Sequence, residues 1–166
     1  IYTAFYKKGS SAYKHFKHRR LIPSWVHYIP FFSSYLHSPL RFLTPLIWGS
    51  FNFSDYDIVI GSAGWYITKG FRKGEKTKEI CYCHTPPRWL YGYTTSVGFQ
   101  KYWIVKVYAA VVGHFMRLYD FVQAQKVDIF VANSHNVAAR IWKFYRRKAI
   151  VIYPPVSLPA VPKVGK

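Results

Sequence analysis

The chain has 166 residues, 51% hydrophobic and 20% aromatic, and carries 24 Lys and Arg against 6 Asp and Glu, a formal charge of +18. That length supports one domain, burying about 70% of the surface its unfolded chain exposes, and that apolar content excludes a disordered chain. The two cysteines argue against a secreted disulfide scaffold and for a reducing compartment, and so few acids leave little for paired-carboxylate catalysis.

The first residues, IYTAFYKKGSS, start inside a strand-like run with no methionine and no signal-peptide n-region. The last, PPVSLPAVPKVGK, read as linker. We therefore expect a piece of a longer protein, with residues 1–156 forming a partial domain and 157–166 opening an interdomain linker. Basic residues fall in short clusters, Lys7-Lys8, Lys14 to Arg20, Arg72-Lys73 and Arg146 to Lys148, so the charge belongs to a folded surface. It reads either as solvated helix faces or as attraction to a polyanion: nucleic acid, anionic lipid or a phosphorylated substrate. His15 and His18, beside Arg19 and Arg20, read as an exposed basic face.

Four prolines interrupt every period between residues 21 and 53, which predicts short helices and loops, with Pro39 and Pro45 each able to open a helical turn. Phe31, Phe32, Tyr35, Leu36, Phe42 and Trp48 form either core over a sheet or a membrane-facing or acceptor-binding patch; large apolar side chains favour the core. Short β-branched runs then recur: DIVIGSAG from Asp57, KEICYCH at 78–84, DIFVANS at 128–134 and AIVIYPP at 149–155. Continuous apolar strands predict a parallel α/β sheet covered on both faces. Glu75 and Glu79, four apart in a Lys-rich stretch, read as solvated.

Between the strands, residues 99–126 predict an amphipathic helix with a wide buried face and a polar stripe of Lys106, Gly113, Arg117 and Asp120. Its apolar stretch, Tyr102 to Met116, falls short of the roughly 20 residues a spanning helix needs. HNVAARIWKFYRRK predicts a second helix with Asn133 or Ser134 as N-cap, Val137, Ile141 and Phe144 or Tyr145 inward, and a basic last turn complementing the dipole. Strand, helix and strand over 128–154 make a right-handed crossover.

The segment ICYCHTPPRWLYGY, residues 80–93, concentrates the chemistry. In a strand, Cys81 and Cys83 project to one face and Tyr82 and His84 to the other. No second Cys pair completes a zinc site, so the cysteines read as buried core. His84 falls where the strand stops, before Thr85 and two prolines. Ligands in open parallel sheets bind beyond the carboxyl ends of strands, and three ends carry small or polar groups: GSAG with Gly61 and Ser62, HTPPR with His84 and Arg88, and NSHN with Asn133, Ser134 and His135. Backbone amides after Gly61 or Ser134 suit phosphate or sugar hydroxyls; equally, Gly61 and Gly64 make a tight turn and Ser134 caps a helix. Neither a dinucleotide fingerprint, a P-loop nor a Gly-x-Ser-x-Gly elbow is present.

The combination DYDIVIGSAG, ICYCHTPPRWLYGY and DIFVANSHNVAARIWKFYRRKAIVIYPPV resembles the amino-terminal half of a family-four retaining glycosyltransferase of the GT-B fold. More narrowly it resembles the mannosyltransferase-like branch that builds bacterial surface polysaccharides. The resemblance implies a Rossmann-like α/β domain that holds a saccharide or lipid-linked acceptor, facing a carboxyl-terminal domain that binds a nucleotide-sugar such as GDP-mannose, with no metal or other cofactor. It implies that His84 hydrogen-bonds a hydroxyl of the transferred sugar, and that Arg88 and the turn of Asn133, Ser134 and His135 line the same cleft. The family's amino-terminal glycine-rich loop and its donor domain, with a basic pair and two glutamates seven residues apart, have no counterpart here, so this chain alone is expected to be inactive. A cationic, aromatic-rich acceptor half suits a cytoplasmic enzyme peripheral on the inner face of an anionic plasma membrane. The alternatives are a basic nucleic-acid-binding module, which lacks any helix-turn-helix, RNP or zinc-finger pattern and makes nucleic acid an unexpected partner, and a non-catalytic membrane-surface protein.

Overall fold

The computed structural model describes residues 1–64, 66–93 and 103–156; the expected linker at 157–166 and the first turn of the expected helix at 99–102 lie outside them. In chain order the elements are β1 (Tyr2–Thr3), α1 (Ser11–Phe16), β2 (Ile22–Pro23), α2 (Thr44–Gly49), β3 (Ile58–Ala63), β4 (Lys78–Cys83), α3 (Trp103–Lys126), β5 (Ile129–Ala132), α4 (His135–Tyr145) and β6 (Ala149–Val151). Strands β3 to β6 form a four-stranded, all-parallel sheet in sequence order, and β1 pairs with β2 in a separate parallel pair. The fold is mixed α/β and Rossmann-like, as the apolar strand runs predict.

Register fixes which residues share a face. Gly61, Cys81, Phe130 and Ala149 are aligned across the four strands, and Ser62, Tyr82, Val131 and Ile150 are aligned one step on. The first set points into a core with Ala63, Cys83 and Ala132, packed against Ala124 and Val127 at the end of α3 and Val137, Ile141 and Tyr145 of α4. Ser134 caps α4 as expected, accepting from the Val137 amide at 3.3 Å. The basic segment after α4 acts on a different helix: the Arg147 guanidinium donates to the carbonyls of Ala124, Gln125 and Val127 at the end of α3, at 2.7 to 3.2 Å, where a cation complements the dipole.

This packing corrects the expectations for the sheet faces, α3 and Glu79 and divides the aromatic patch. Because strand order advances in one direction, α3 and α4 both lie against the same face; the other is not covered among the described residues, and Ile58, Ile60, Ile129 and Ile150 are exposed there. Helix α3 turns the other way round from its hydrophobic pattern. Gly113, Met116, Asp120, Gln123 and Ala124 face inward, while Trp103, Val107, Val111, Phe115, Leu118 and Val122 are exposed. Glu79 is fully buried, accepting from the amides of Gly70 at 2.7 Å and Phe71 at 3.0 Å; two charge-assisted bonds hold a carboxylate that spacing alone placed in solvent. The aromatic patch divides: Phe32 and Trp48 are buried with Phe51, Phe53 and Phe71, Leu36 and Phe42 pack at core margins, and Phe31 and Tyr35 are exposed. Pro45 opens α2, whereas Pro39 lies in a turn before a short 3-10 segment.

Candidate functional site at the sheet's carboxyl edge

The paired ends Ala63, Cys83 and Ala132 stop at one level, so Gly64, His84 and Asn133 leave the sheet side by side, on strands about 4.8 Å apart. The His84 amide adds one further ladder bond, donating to the Ala63 carbonyl at 2.8 Å. This pins the residue's backbone while its imidazole stays exposed on the uncovered face. Ser62, two residues earlier in level and one strand over, projects to the same face, and its Oγ is 3.0 Å from His84 Nε2. Tyr82 stands beneath the imidazole, edge to ring at 5.1 Å between centroids. Its hydroxyl donates to the Ile152 carbonyl at 3.1 Å, tying the middle of the site to the end of β6.

The other candidates divide by what holds them. Gly61 is buried and turned to the core: a Cβ there would lie 3.0 Å from the Phe71 ring and 3.1 Å from the Thr68 carbonyl, so this glycine permits close packing. The Ser134 hydroxyl is committed to the α4 cap and donates to Asn133 Oδ1 at 3.2 Å. His135 is exposed at the first turn of α4, with its ring 6.2 Å from that of Tyr153. Arg88 is exposed in a short 3-10 turn following Pro86 and Pro87.

One residue not singled out in the sequence joins these parts. Arg140 on α4 donates to Thr85 Oγ1 at 3.3 Å, and its guanidinium lies over the Tyr93 ring at 4.5 Å. It therefore braces the loop that aims His84. The available signal was its position beside inward-facing Ile141, which puts residue 140 on the flank of the buried stripe and toward the strand ends.

The chemistry follows from which charges are absent at this edge. Asp57, Glu79 and Asp128 all sit at or before the amino ends of their strands, and Asp120 is buried beneath the core face. No carboxylate is therefore placed to orient the imidazole, as a nucleophilic Ser–His–acid relay requires. What remains is a hydroxyl and an imidazole that can each donate or accept, with the Arg140 guanidinium bonded to Thr85, the residue after His84. Such a set binds and orients hydroxyls and tolerates phosphate.

The cysteines take no part. Their thiols face the core, away from His84, and burial pushes the Cys83 thiol up to about 12 and that of Cys81 well above its ordinary value. Among the described residues no group of three His, Cys, Asp or Glu could hold a metal ion, and no helix is long and apolar enough to cross a membrane. Compared with known proteins, the chain matches no family model, no curated protein and no solved structure.

Proposed function

We propose that this chain is the acceptor-holding half of a retaining glycosyltransferase. In this reading it takes a saccharide or lipid-linked saccharide at the carboxyl edge of the sheet, while a second, donor-binding domain brings the nucleotide-sugar, GDP-mannose being the candidate donor. The observation that carries the reading is the exposed Ser62–His84 pair, 3.0 Å apart at the ends of adjacent parallel strands, where open α/β sheets bind ligands. Sugars are recognised by convergent neutral donors and acceptors with aromatic neighbours; Tyr82, Asn133 and His135 supply these around the pair, and Arg88 and Arg140 suit the phosphate of a lipid carrier. His84 acts by positioning a hydroxyl, and transfer chemistry falls to the donor domain.

The membrane part of the proposal is supported by the exposed stripe of α3. It runs Trp103, Val107, Val111, Phe115, Leu118 and Val122 at spacings of three and four along a 24-residue helix, on a chain of charge +18. An apolar stripe within a cationic surface suits an anionic bilayer, to which such helices lie parallel. In this reading the enzyme is a peripheral protein at the cytoplasmic leaflet, where surface polysaccharide precursors are assembled.

The test is an NMR titration of the chain with a mannose-containing disaccharide and, separately, with GDP-mannose. Saturable shifts at His84 and Ser62 with the saccharide, abolished by His84→Ala, are expected. Shifts with the nucleotide-sugar alone, or a saccharide that leaves both residues unmoved, would refute the assignment.

A further inference from the structure

Among the described residues four strand edges lack partners, and two of them, those of β1 and β3, face each other. Among the described residues strand β3 pairs only with β4, and β1 only with β2. Between them runs a cleft of about 670 Å³ whose walls include the unbroken runs 1–5 and 58–62. Unbroken runs line a cleft when a strand presents its edge, since a strand face exposes alternate residues only.

The two walls run the same way. Tyr2, at the start of one, hydrogen-bonds through its hydroxyl to that of Tyr56, just before β3, at 3.0 Å. Phe5, at the end of the other, packs edge-on against Tyr66, just after β3, at 6.4 Å.

Hydrogen bonding shows which backbone groups are left over. The carbonyls of Ile1 and Thr3 accept from β2 and its neighbours, and those of Asp57 and Ala63 accept from Lys78 and His84. Odd-numbered residues of both strands are thus spent on existing partners. In a strand, alternate residues turn their N–H and C=O to opposite sides, so Tyr2 on one wall and Ile58, Ile60 and Ser62 on the other point theirs into the cleft, and the Ala4 N–H, trans to the Thr3 carbonyl across their shared peptide, points there as well. The floor is aromatic, formed by Trp48, Phe53 and Phe71. On the open side Ile58 is 58% and Ile60 72% exposed.

We infer that this cleft is a receptor for one extended peptide strand of about five residues, roughly 17 Å at the rise of a β-strand, apolar on both faces. Its backbone would pair with both walls at once and join the two sheets into one. Its side chains would alternate between the aromatic floor and the exposed isoleucines. Strand addition supplies main-chain hydrogen bonds that no small apolar molecule can match along two walls. A folded second copy offers a sheet edge to one wall only and is blocked by the other, so the occupant is a single strand not already held in a sheet. Neither the exposed isoleucines nor the unpaired edge of β3 suits a surface left open to water.

The probe is a blocked synthetic peptide copying the chain's own central strand, DIFVANS, which is competent to pair on both edges in β5. With the isotope-labelled chain and millimolar peptide, amide exchange at Tyr2, Ala4, Ile58, Ile60 and Ser62 is expected to slow at least tenfold, with Val59 and Gly61 unchanged. A peptide N-methylated at alternate residues keeps the side chains but loses donors, and is expected to bind at least tenfold more weakly. Equal binding of the N-methylated peptide would mean that the cleft takes apolar groups irrespective of backbone. Protection that rises with protein concentration without peptide would mean a second copy. Either result, or unchanged exchange with saturating peptide, overturns the inference, and none bears on whether His84 contacts a saccharide.

Discussion

Lys69 and Asp120, 51 residues apart in sequence, form an ion pair whose side chains are 2% and 0% exposed. The pair does not stand alone. Lys69 also donates to the Tyr145 hydroxyl at 3.2 Å, and the Tyr91 hydroxyl donates to the second Asp120 oxygen at 2.7 Å. One buried knot therefore fastens the β3–β4 crossover, the loop after His84, α3 and α4, and it explains why α3 turns a polar residue inward. Burial raises the Tyr145 and Tyr91 phenols far above their ordinary range, so both remain donors at any physiological pH.

Removing one partner leaves the other charge buried and uncompensated, which costs about 3–5 kcal/mol, whereas an apolar replacement of both is often near neutral. Lys69→Met is expected to lower unfolding free energy by that amount, a large share of the 5–15 kcal/mol typical of a domain. Lys69→Met with Asp120→Leu should recover most of it. Urea unfolding of both variants decides; a double variant no better than the single would show that the tyrosine bonds, and not the charge, set the cost.

Glu79 sets the shape of the crossover in the same way. Burial raises its carboxyl group, and the amides of Gly70 and Phe71 act against that by favouring the anion. Gly70 itself sits at φ +70°, with a Cβ there only 2.5 Å from Gln123 Oε1, so the turn has no slack. Glu79→Leu strands two buried donors and is expected to cost roughly 2 kcal/mol or more. Glu79→Gln keeps one carbonyl acceptor and should cost about half as much. Equal losses would mean that volume, not amide capture, is what Glu79 supplies.

The parts of this fold written in local pattern were legible in advance: four β-branched runs became the parallel sheet, Ser134 became a cap, and His84 emerged at a strand tip. Glu79, Asp120 and the turned-round face of α3 were not, because each depends on a partner distant in sequence. Spacing reports which residues share a face but not which face meets the core, and in α3 a single buried ion pair outweighed the hydrophobic pattern. The covering of both sheet faces was inferred from strand runs without polar alternation, yet strand order decides on which side the helices fall. At the site, the Ser62–His84 contact follows from a register between β3 and β4 that no local pattern encodes.

Asp128 gives a pH prediction of definite sign. The Glu79 amide and the Lys73 ammonium favour its anion and hold its carboxyl at about 2, below an ordinary 3.8. A carboxyl group depressed on folding stabilises the fold above its unfolded value, and that contribution disappears as pH falls through the folded one. The stability gap between the chain and Asp128→Asn should therefore be full above about pH 4 and close progressively toward pH 2. Thermal melts across that window test it; a gap constant with pH would assign the effect to lost hydrogen-bond geometry.

Cys81 and Cys83 are buried and held protonated, with Cys83 raised to about 12. Thiolates, not thiols, alkylate. Iodoacetamide at pH 8 is expected to leave both cysteines unmodified in the folded chain and to modify both within minutes in 6 M guanidinium. Native labelling at a rate independent of denaturant would place the thiols in solvent and undo the assignment of β4 as a core strand.

The outward stripe of α3 yields the last test, on the membrane side of the proposed function. Val111 and Phe115 lie one turn apart and are 53% and 65% exposed, so changing them disturbs little packing. Glutamate at both positions replaces apolar insertion with like-charge repulsion from anionic headgroups. Val111→Glu with Phe115→Glu is expected to weaken binding to phosphatidylglycerol-containing vesicles at least tenfold while shifting the melting temperature by no more than a few degrees. Binding by the parent chain should also fall as salt shortens the Debye length. Vesicle affinity unchanged by the double substitution would move the bilayer contact off α3 and leave its stripe to a protein partner.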